Sequence, residues 1–247
     1  MENEAKFYEN EAYLKLSQED FTEAYKLFHK AAAIYRDENN HNQAAICFAS
    51  AASCWSKRSG EELFFDSGMS YQEAAEEAKV AGDYKYASLL YKHAAICFER
   101  DTEFVNFSEC FYLSKECQRR FLSSSLFDMN KGIKEVLKRL LQWLALTISS
   151  VVWGHGERPI RTLFAWLFII FGSSLVYTQG TLLRDGVAFK PGFLDAFYFS
   201  IVTFSTVGYG DITPLGFTKV IVIMELFLGM FITSFLLVAL TRKYLRA

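Results

Sequence analysis

Two long apolar runs in the last third of the chain restrict its fold more than any other feature. Residues 162–183 are 22 consecutive positions without a charged side chain. Residues 220–241 hold a single charge, Glu225, among Val, Ile, Met, Leu and Phe. A helix rises about 1.5 Å per residue, so each run reaches across a hydrocarbon core of roughly 30 Å. In lipid every backbone polar group needs an internal partner, so both runs read as membrane-crossing helices, at 160–178 and 215–241. Pro159 and Pro214 stand at their starts, where a missing N–H has no helical partner to lose. The third proline, Pro191, lies between them, and residues 1–158 have none, which suits a helical region.

Charge is divided as unevenly as hydropathy. Residues 1–130 carry 14 Lys/Arg against 22 Asp/Glu, a net of −8; residues 131–247 carry 12 against 6, a net of +6. Neither half presents a basic polar stripe, which argues against a nucleic-acid partner. The aromatic and aliphatic content excludes disorder. Cys47, Cys54, Cys97, Cys110 and Cys117 all lie in the acidic half, an odd count without a Cys-x-x-Cys pair. Free thiols in a reducing compartment fit this better than a disulfide scaffold. The first 25 residues are too charged for a signal peptide. Lys131, Lys134, Lys138, Arg139, Arg158 and Arg161 precede the first span and Arg242, Lys243 and Arg246 follow the second. This bias sets both termini in the cytoplasm of a cell membrane (plasma or inner) and the 184–219 connection outside.

Residues 141–153 form a third apolar run, of 13 positions, which falls short of a span. Residues 131–158 read as a linker whose helix, 131–153, lies in the membrane interface with Trp143 and Trp153 at headgroup level. A last helix of the acidic domain and a third crossing are the other readings.

The connection between the spans carries the chemistry. Leu194–Ser205 is a 12-residue apolar stretch, which as a helix reaches about 18 Å, only part-way through a bilayer. Thr206-Val207-Gly208-Tyr209-Gly210-Asp211 comes immediately after it. Irregular backbone at membrane depth is viable only where it is buried in protein or lines a watery path. Glycines at alternate positions permit backbone angles that let carbonyl oxygens point one way and replace the water around a cation. One chain supplies one wall of such a path, so a closed pore needs several copies.

This hexapeptide is the potassium-channel signature, and residues 159–247 resemble the two-transmembrane potassium channels of prokaryotes. The resemblance implies an outer helix, a re-entrant pore helix at 194–205, a selectivity filter at 206–210 and an inner helix. It implies that Thr206, Val207, Gly208, Tyr209 and Gly210 bind K⁺ as the permeant ion, and that the unit is a homotetramer in a lipid bilayer. Asp211 falls where the family braces the outer mouth. Tyr198 and Phe199 fall where paired aromatics cuff the filter, but Phe199 offers no hydrogen bond to Asp211. Val202 replaces a buried glutamate that some members keep behind the filter. In the inner helix Gly229 reads either as a hinge or as a point of close packing on the pore helix. Thr233 and Phe235 lie in a stretch resembling the cavity lining. Glu225 is costly in lipid, so it is expected to find a donor near the pore helix or filter, as a gating group or as a structural one.

The acidic half repeats itself. Ala-Ala-Ile-Cys-Phe occurs at 44–48 and at 94–98. A pattern of small, apolar and aromatic residues at offsets 0, 3, 4, 7, 8 and 11 fits Ala24 to Tyr35, Ala44 to Trp55 and Ala87 to Phe98. Those offsets are helical. Helices are predicted at 3–16, 19–36, 41–58, 66–81, 84–100 and 103–122, with Asp20 and Asp83 as caps and Gly60 and Gly82 as breaks. The pattern resembles tetratricopeptide repeats and, more closely, the long hairpins of the soluble membrane-fusion attachment proteins. The cysteines read as small core residues. His29, His41 and His93 lack metal-ligand spacing, and His155 reads as a linker residue. With no nucleophile–base pair or phosphate loop, no enzyme activity or organic cofactor is expected. The whole chain is thus expected to be all-α: residues 1–130 a helical-repeat domain that takes a protein or small-ligand partner, 131–158 a linker, 159–247 a pore. A non-selective cation channel and a membrane-anchored adaptor are the competing functions.

Overall fold

The computed structural model describes residues 2–57, 63–126 and 132–245. The chain divides into two units, 1–148 and 149–247.

The first unit is built from antiparallel helices, each packed on the next: α1 (Glu2–Ser17), α2 (Phe21–Asp37), α3 (His41–Lys57), α4 (Leu63–Val80), α5 (Tyr84–Arg100) and α6 (Phe104–Ser125). Every predicted helix is present, with ends shifted by up to three residues. The alanines of the repeated pattern are buried, and large rings fill the space between them. Ala31, Ala32, Ala44, Ala45, Ala94 and Ala95 pack with Phe48, Tyr91 and Phe98. A pair absent from the pattern, Ala74-Ala75, joins the same core from α4. The small residues let helix axes approach, and the interleaved rings fix their register.

The turns repeat as well. Glu19, Asn39, Gly82 and Thr102 all have φ between 59° and 83°. In each turn the next residue donates its N–H back across six residues: Asp20 to Lys15, Asn40 to Tyr35, Asp83 to Ala78 and Glu103 to Phe98. These bonds close the preceding helix by a Schellman pattern. Asp20 and Asp83 then cap the next helix, accepting from Glu23 N at 3.2 Å and Tyr86 N at 2.9 Å. Gly60 lies outside the described residues.

All five thiols are free and buried, as expected of core cysteines. Burial pushes those of Cys47 and Cys110 up to about 12, with Glu9 near the first and Glu109 and Glu76 near the second adding to the shift.

Helix α7 (Ile133–Trp153) crosses the boundary between the units. With the adjoining Gly154–Gly156 turn it makes a stretch long and apolar enough to cross a membrane, by length and composition only. The expected shortfall of this segment therefore does not hold for the helix as formed, although Lys134, Glu135, Lys138 and Arg139 crowd its first two turns.

The second unit contains α8 (Pro159–Gln179), β1 (Thr181–Arg184), β2 (Val187–Phe189), α9 (Phe193–Phe204), β3 (Ile212–Leu215) and α10 (Thr218–Leu245). Helices α8 and α10 are the two predicted spans. The fold is helical, with one addition: β1 pairs antiparallel with β2 and with β3, in the order β2-β1-β3. Pro214 lies in edge strand β3, opposite Leu182, rather than at the start of the inner helix, which begins at Thr218. An edge strand tolerates a residue without an N–H. The sheet ties the chain just before α9 to the chain just after 206–210, so both ends of that loop are anchored.

Candidate ion-conduction site

Helix α9 stops at Phe204, and its C-terminus grips the residues directly after it. The Val202 carbonyl accepts from Val207 N at 3.1 Å and Gly208 N at 3.3 Å, and Thr206 N donates to Thr203 O at 2.9 Å. From there φ alternates in sign: 60° at Thr206, 57° at Gly208 and 82° at Gly210, with Val207 and Tyr209 outside the positive-φ set. Alternating left- and right-handed residues turn successive carbonyls toward one side instead of into a helix or a ladder. No backbone hydrogen bond among the described residues uses a carbonyl of Thr206–Tyr209 as acceptor. Four oxygens are thus left for another partner. Gly208 and Gly210 meet the positive φ at no steric cost, whereas Thr206 holds it against the preference of a β-branched residue.

Behind this strand lies a recess of about 270 Å³, bordered by Phe199, Val202, Thr203, Pro214, Val222 and Leu226. Val202 holds the strand through its backbone carbonyl, so support there does not require an acid. Phe199 is buried and meets Tyr177 edge-on, with centroids 5.0 Å apart. Tyr198, the neighbouring ring, is exposed in the single chain and lies near Asp211. Arg184 on β1 holds Asp195 in the first turn of α9 at 2.5 Å.

Glu225 is buried and has the predicted partner in the pore helix, and a second one in the outer helix. Tyr177 of α8 donates to its Oε2 at 2.5 Å, and Ser200 of α9 bonds its Oε1. Ser200 also donates to the Ile170 carbonyl at 3.0 Å. One carboxyl group thus links three helices. One turn further along, a Cβ on Gly229 would stand 2.7 Å from the Phe204 carbonyl oxygen. That contact favours close packing over a hinge, because backbone at the end of α9 cannot step aside. Thr233 is exposed in the single chain. Phe235 stacks on Trp153, centroids 4.3 Å apart, at the end of α7. Tyr177 and Ser200 were not singled out by sequence, since a lone tyrosine or serine in an apolar run carries no distinguishing pattern; Trp153 was expected as a headgroup-level anchor, not as a partner of Phe235.

Among the described residues no group of three or more His, Cys, Asp or Glu could hold a metal ion.

The ion channel family matches residues 161–246. Over 46 residues the chain is 56% identical to two-pore potassium channel 4 of Arabidopsis thaliana, covering 18% of this chain and 16% of that protein. Over 73 residues it is 42% identical to the voltage-gated potassium channel Kch of Escherichia coli K12, covering 28% of this chain and 17% of that one. The chain thus spans less than a fifth of the length of either relative. No solved structure matches it. The C-terminal unit carries an ion-channel pore domain, joined to an N-terminal region made of helices.

Proposed function

We propose that the chain forms a K⁺-selective channel, with Thr206–Gly210 as one wall of the filter. The observation that carries this is the backbone of that segment: alternating φ, four carbonyls without backbone donors, and a strand pinned at both ends. Such carbonyls can replace the hydration shell of a dehydrated cation. In the single chain Val207 is 53% and Tyr209 71% exposed. Large apolar side chains left open at membrane depth are accounted for by neighbouring copies, so the working unit is a homotetramer.

Helices α8 and α10 cross the bilayer, both termini face the cytoplasm, and α7 lies along the inner membrane surface. The charges in the first turns of α7 support an interfacial position for that end. The N-terminal helices regulate the pore through the linker.

The test is K⁺ against Na⁺ flux through purified protein in liposomes. Gly208→Ala and Gly210→Ala each place a Cβ on a left-handed residue and are expected to abolish selective flux. Normal discrimination in either variant would overturn the filter assignment. Deleting residues 1–130 is expected to leave a selective pore with altered open probability; unchanged gating would make those helices an assembly or recruitment module.

A further inference from the structure

Helices α5 and α6 are drawn together at one point by a reciprocal pair of hydroxyls. Ser88 Oγ donates to the Ser114 carbonyl at 2.9 Å, and Ser114 Oγ donates to the Ser88 carbonyl at 2.8 Å. Small residues at the crossing leave the larger side chains on either side standing apart. The result is a groove of about 610 Å³ with this serine pair in its lining. Its walls are apolar and largely flat: Tyr86 and Leu89 from α5, Phe111 and Phe121 from α6. Leu89, one of the lining residues, is 50% exposed.

Three lysines line the same groove: Lys85, Lys92 and Lys115. None of them forms a salt bridge with a described residue. The ammonium of Lys115 stands 5.6 Å from the Phe111 ring centroid, and no described carboxylate holds it. The one acid in the lining, Asp83, accepts from Tyr86 N as the cap of α5. Three cations without described counter-charges around an apolar trough are conspicuous where residues 1–130 carry a net of −8.

We propose that this groove binds a small aromatic anion, a flat apolar body carrying a phosphate, carboxylate or sulfonate. The volume falls in the range of small-molecule pockets, and the lining has their make-up, apolar walls with a few convergent polar groups. Ring faces at Tyr86, Phe111 and Phe121 suit a planar body, and the lysines supply the charge the anion lacks in the rest of the unit. Helix α7 of the same chain is a poor occupant, because Lys134, Lys138 and Arg139 at its start repeat the charge of the groove. The site lies within the N-terminal helices, and its occupancy is read by binding, so the proposal stands or falls separately from conduction by the pore.

The experiment is equilibrium dialysis of full-length protein, in nanodiscs of zwitterionic phosphatidylcholine, against 2-naphthyl phosphate and neutral 2-naphthol. Saturable binding of one naphthyl phosphate per chain is expected. The neutral compound should bind about tenfold more weakly, and Lys92→Gln and Lys115→Gln should each weaken the phosphate by about tenfold. Lys85 and Lys92 are solvent-exposed, so Lys85→Gln and Lys92→Gln leave the fold intact and give a second check. Absence of saturable binding to the unaltered protein, equal binding of the neutral compound, or unchanged affinity in the Lys92→Gln/Lys115→Gln pair would overturn the site.

Discussion

Replacing Glu225 separates a three-helix hydrogen-bond junction from a merely buried acid. Glu225→Gln keeps the shape of the side chain. Its amide oxygen accepts from Tyr177, its amide nitrogen donates to the Ser200 hydroxyl, and Ser200 keeps the Ile170 carbonyl at 3.0 Å. Every polar atom still has a partner, so the expected cost is under about 1 kcal/mol. Glu225→Ala removes the only described acceptor of the Tyr177 hydroxyl, which is 0% exposed, and leaves a void between the helices. The unsatisfied hydroxyl and the void together cost about 2–5 kcal/mol. At about 2–4 °C per kcal/mol for a chain of this size, the melting temperature should fall by roughly 5–20 °C. Tryptophan fluorescence reports it, because Trp166 lies edge-on to Phe204 at the end of α9. In a double-mutant cycle Tyr177→Phe and Glu225→Ala should be non-additive by about 1 kcal/mol or more. If Gln proved as damaging as Ala, or if the two substitutions simply added, the junction would not be holding the helices together.

Other outcomes rest on particular contacts. Gly229→Ala forces a methyl within 2.7 Å of the Phe204 carbonyl oxygen; overpacking by about 1–3 kcal/mol should lower both melting temperature and flux, and wild-type behaviour would return Gly229 to the hinge reading. Thr102→Gly relieves a β-branched residue at φ 60° and should stabilise the N-terminal helices by about 1 kcal/mol, read as a rise in their melting temperature; a fall would refute the strain. The Cys47 and Cys110 thiols sit at about 12, raised from 9.0, so at pH 8 their native thiolate fraction is lower by about a thousandfold and maleimide labelling should wait for unfolding. Since the unfolded thiol ionises first, this contribution to stability is complete below about pH 9 and lost as pH rises towards 12; urea midpoints that stay flat over that window would contradict it. Trp153→Ala and Phe235→Ala should shift open probability in the same direction and non-additively, as seen in single-channel recordings; additive effects would place the two rings on separate paths.

Legibility in the sequence depends on which features leave a local mark. The helices of the first unit were readable because burial against two neighbours imposes small and large residues at helical spacing, and Ala24 to Tyr35 carries the whole pattern. The irregular backbone at 206–210 was readable because Gly208 and Gly210 fill backbone angles that few other residues accept. The turns were legible only in part: Gly82 was expected as a break and Asp20 and Asp83 as caps, but the left-handed positions at Glu19 and Thr102 carry residues that give no turn signal, and Asn39 was passed over. The sheet escaped notice because strands of three or four residues are too short to show alternation, and Thr181–Arg184 reads as the tail of the outer span. The junction at Glu225 was half legible. A lone acid in an apolar run demands a partner, but Tyr177 and Ser200 lie 48 and 25 residues away. Only packing brings them together.

The Trp153–Phe235 stack changes the route by which the N-terminal helices would act. From sequence, the linker joins the repeats to the outer helix, and motion would enter the pore through α8. In the structure the end of α7 and the turn after it also touch the inner helix. Trp153 covers Phe235, and Arg242 stands 3.8 Å from the largely buried carboxylate of Glu157. Arg161 at the start of α8 meanwhile donates to the Ser150 carbonyl at 2.8 Å. One short segment therefore holds the start of α8 and the second half of α10. An aromatic pair is worth about 0.5–1.5 kcal/mol beyond its area. If it forms in one gating state only, that is a change of about two- to twelvefold in the open–closed ratio. A shift of this size is enough to regulate a pore and too small to lock it, and it acts on the inner helix directly, one turn and a half beyond the packing point at Gly229. Glu225 and Gly229 hold the first half of that helix against α8 and α9, so a change at the Trp153–Phe235 stack bears on its second half.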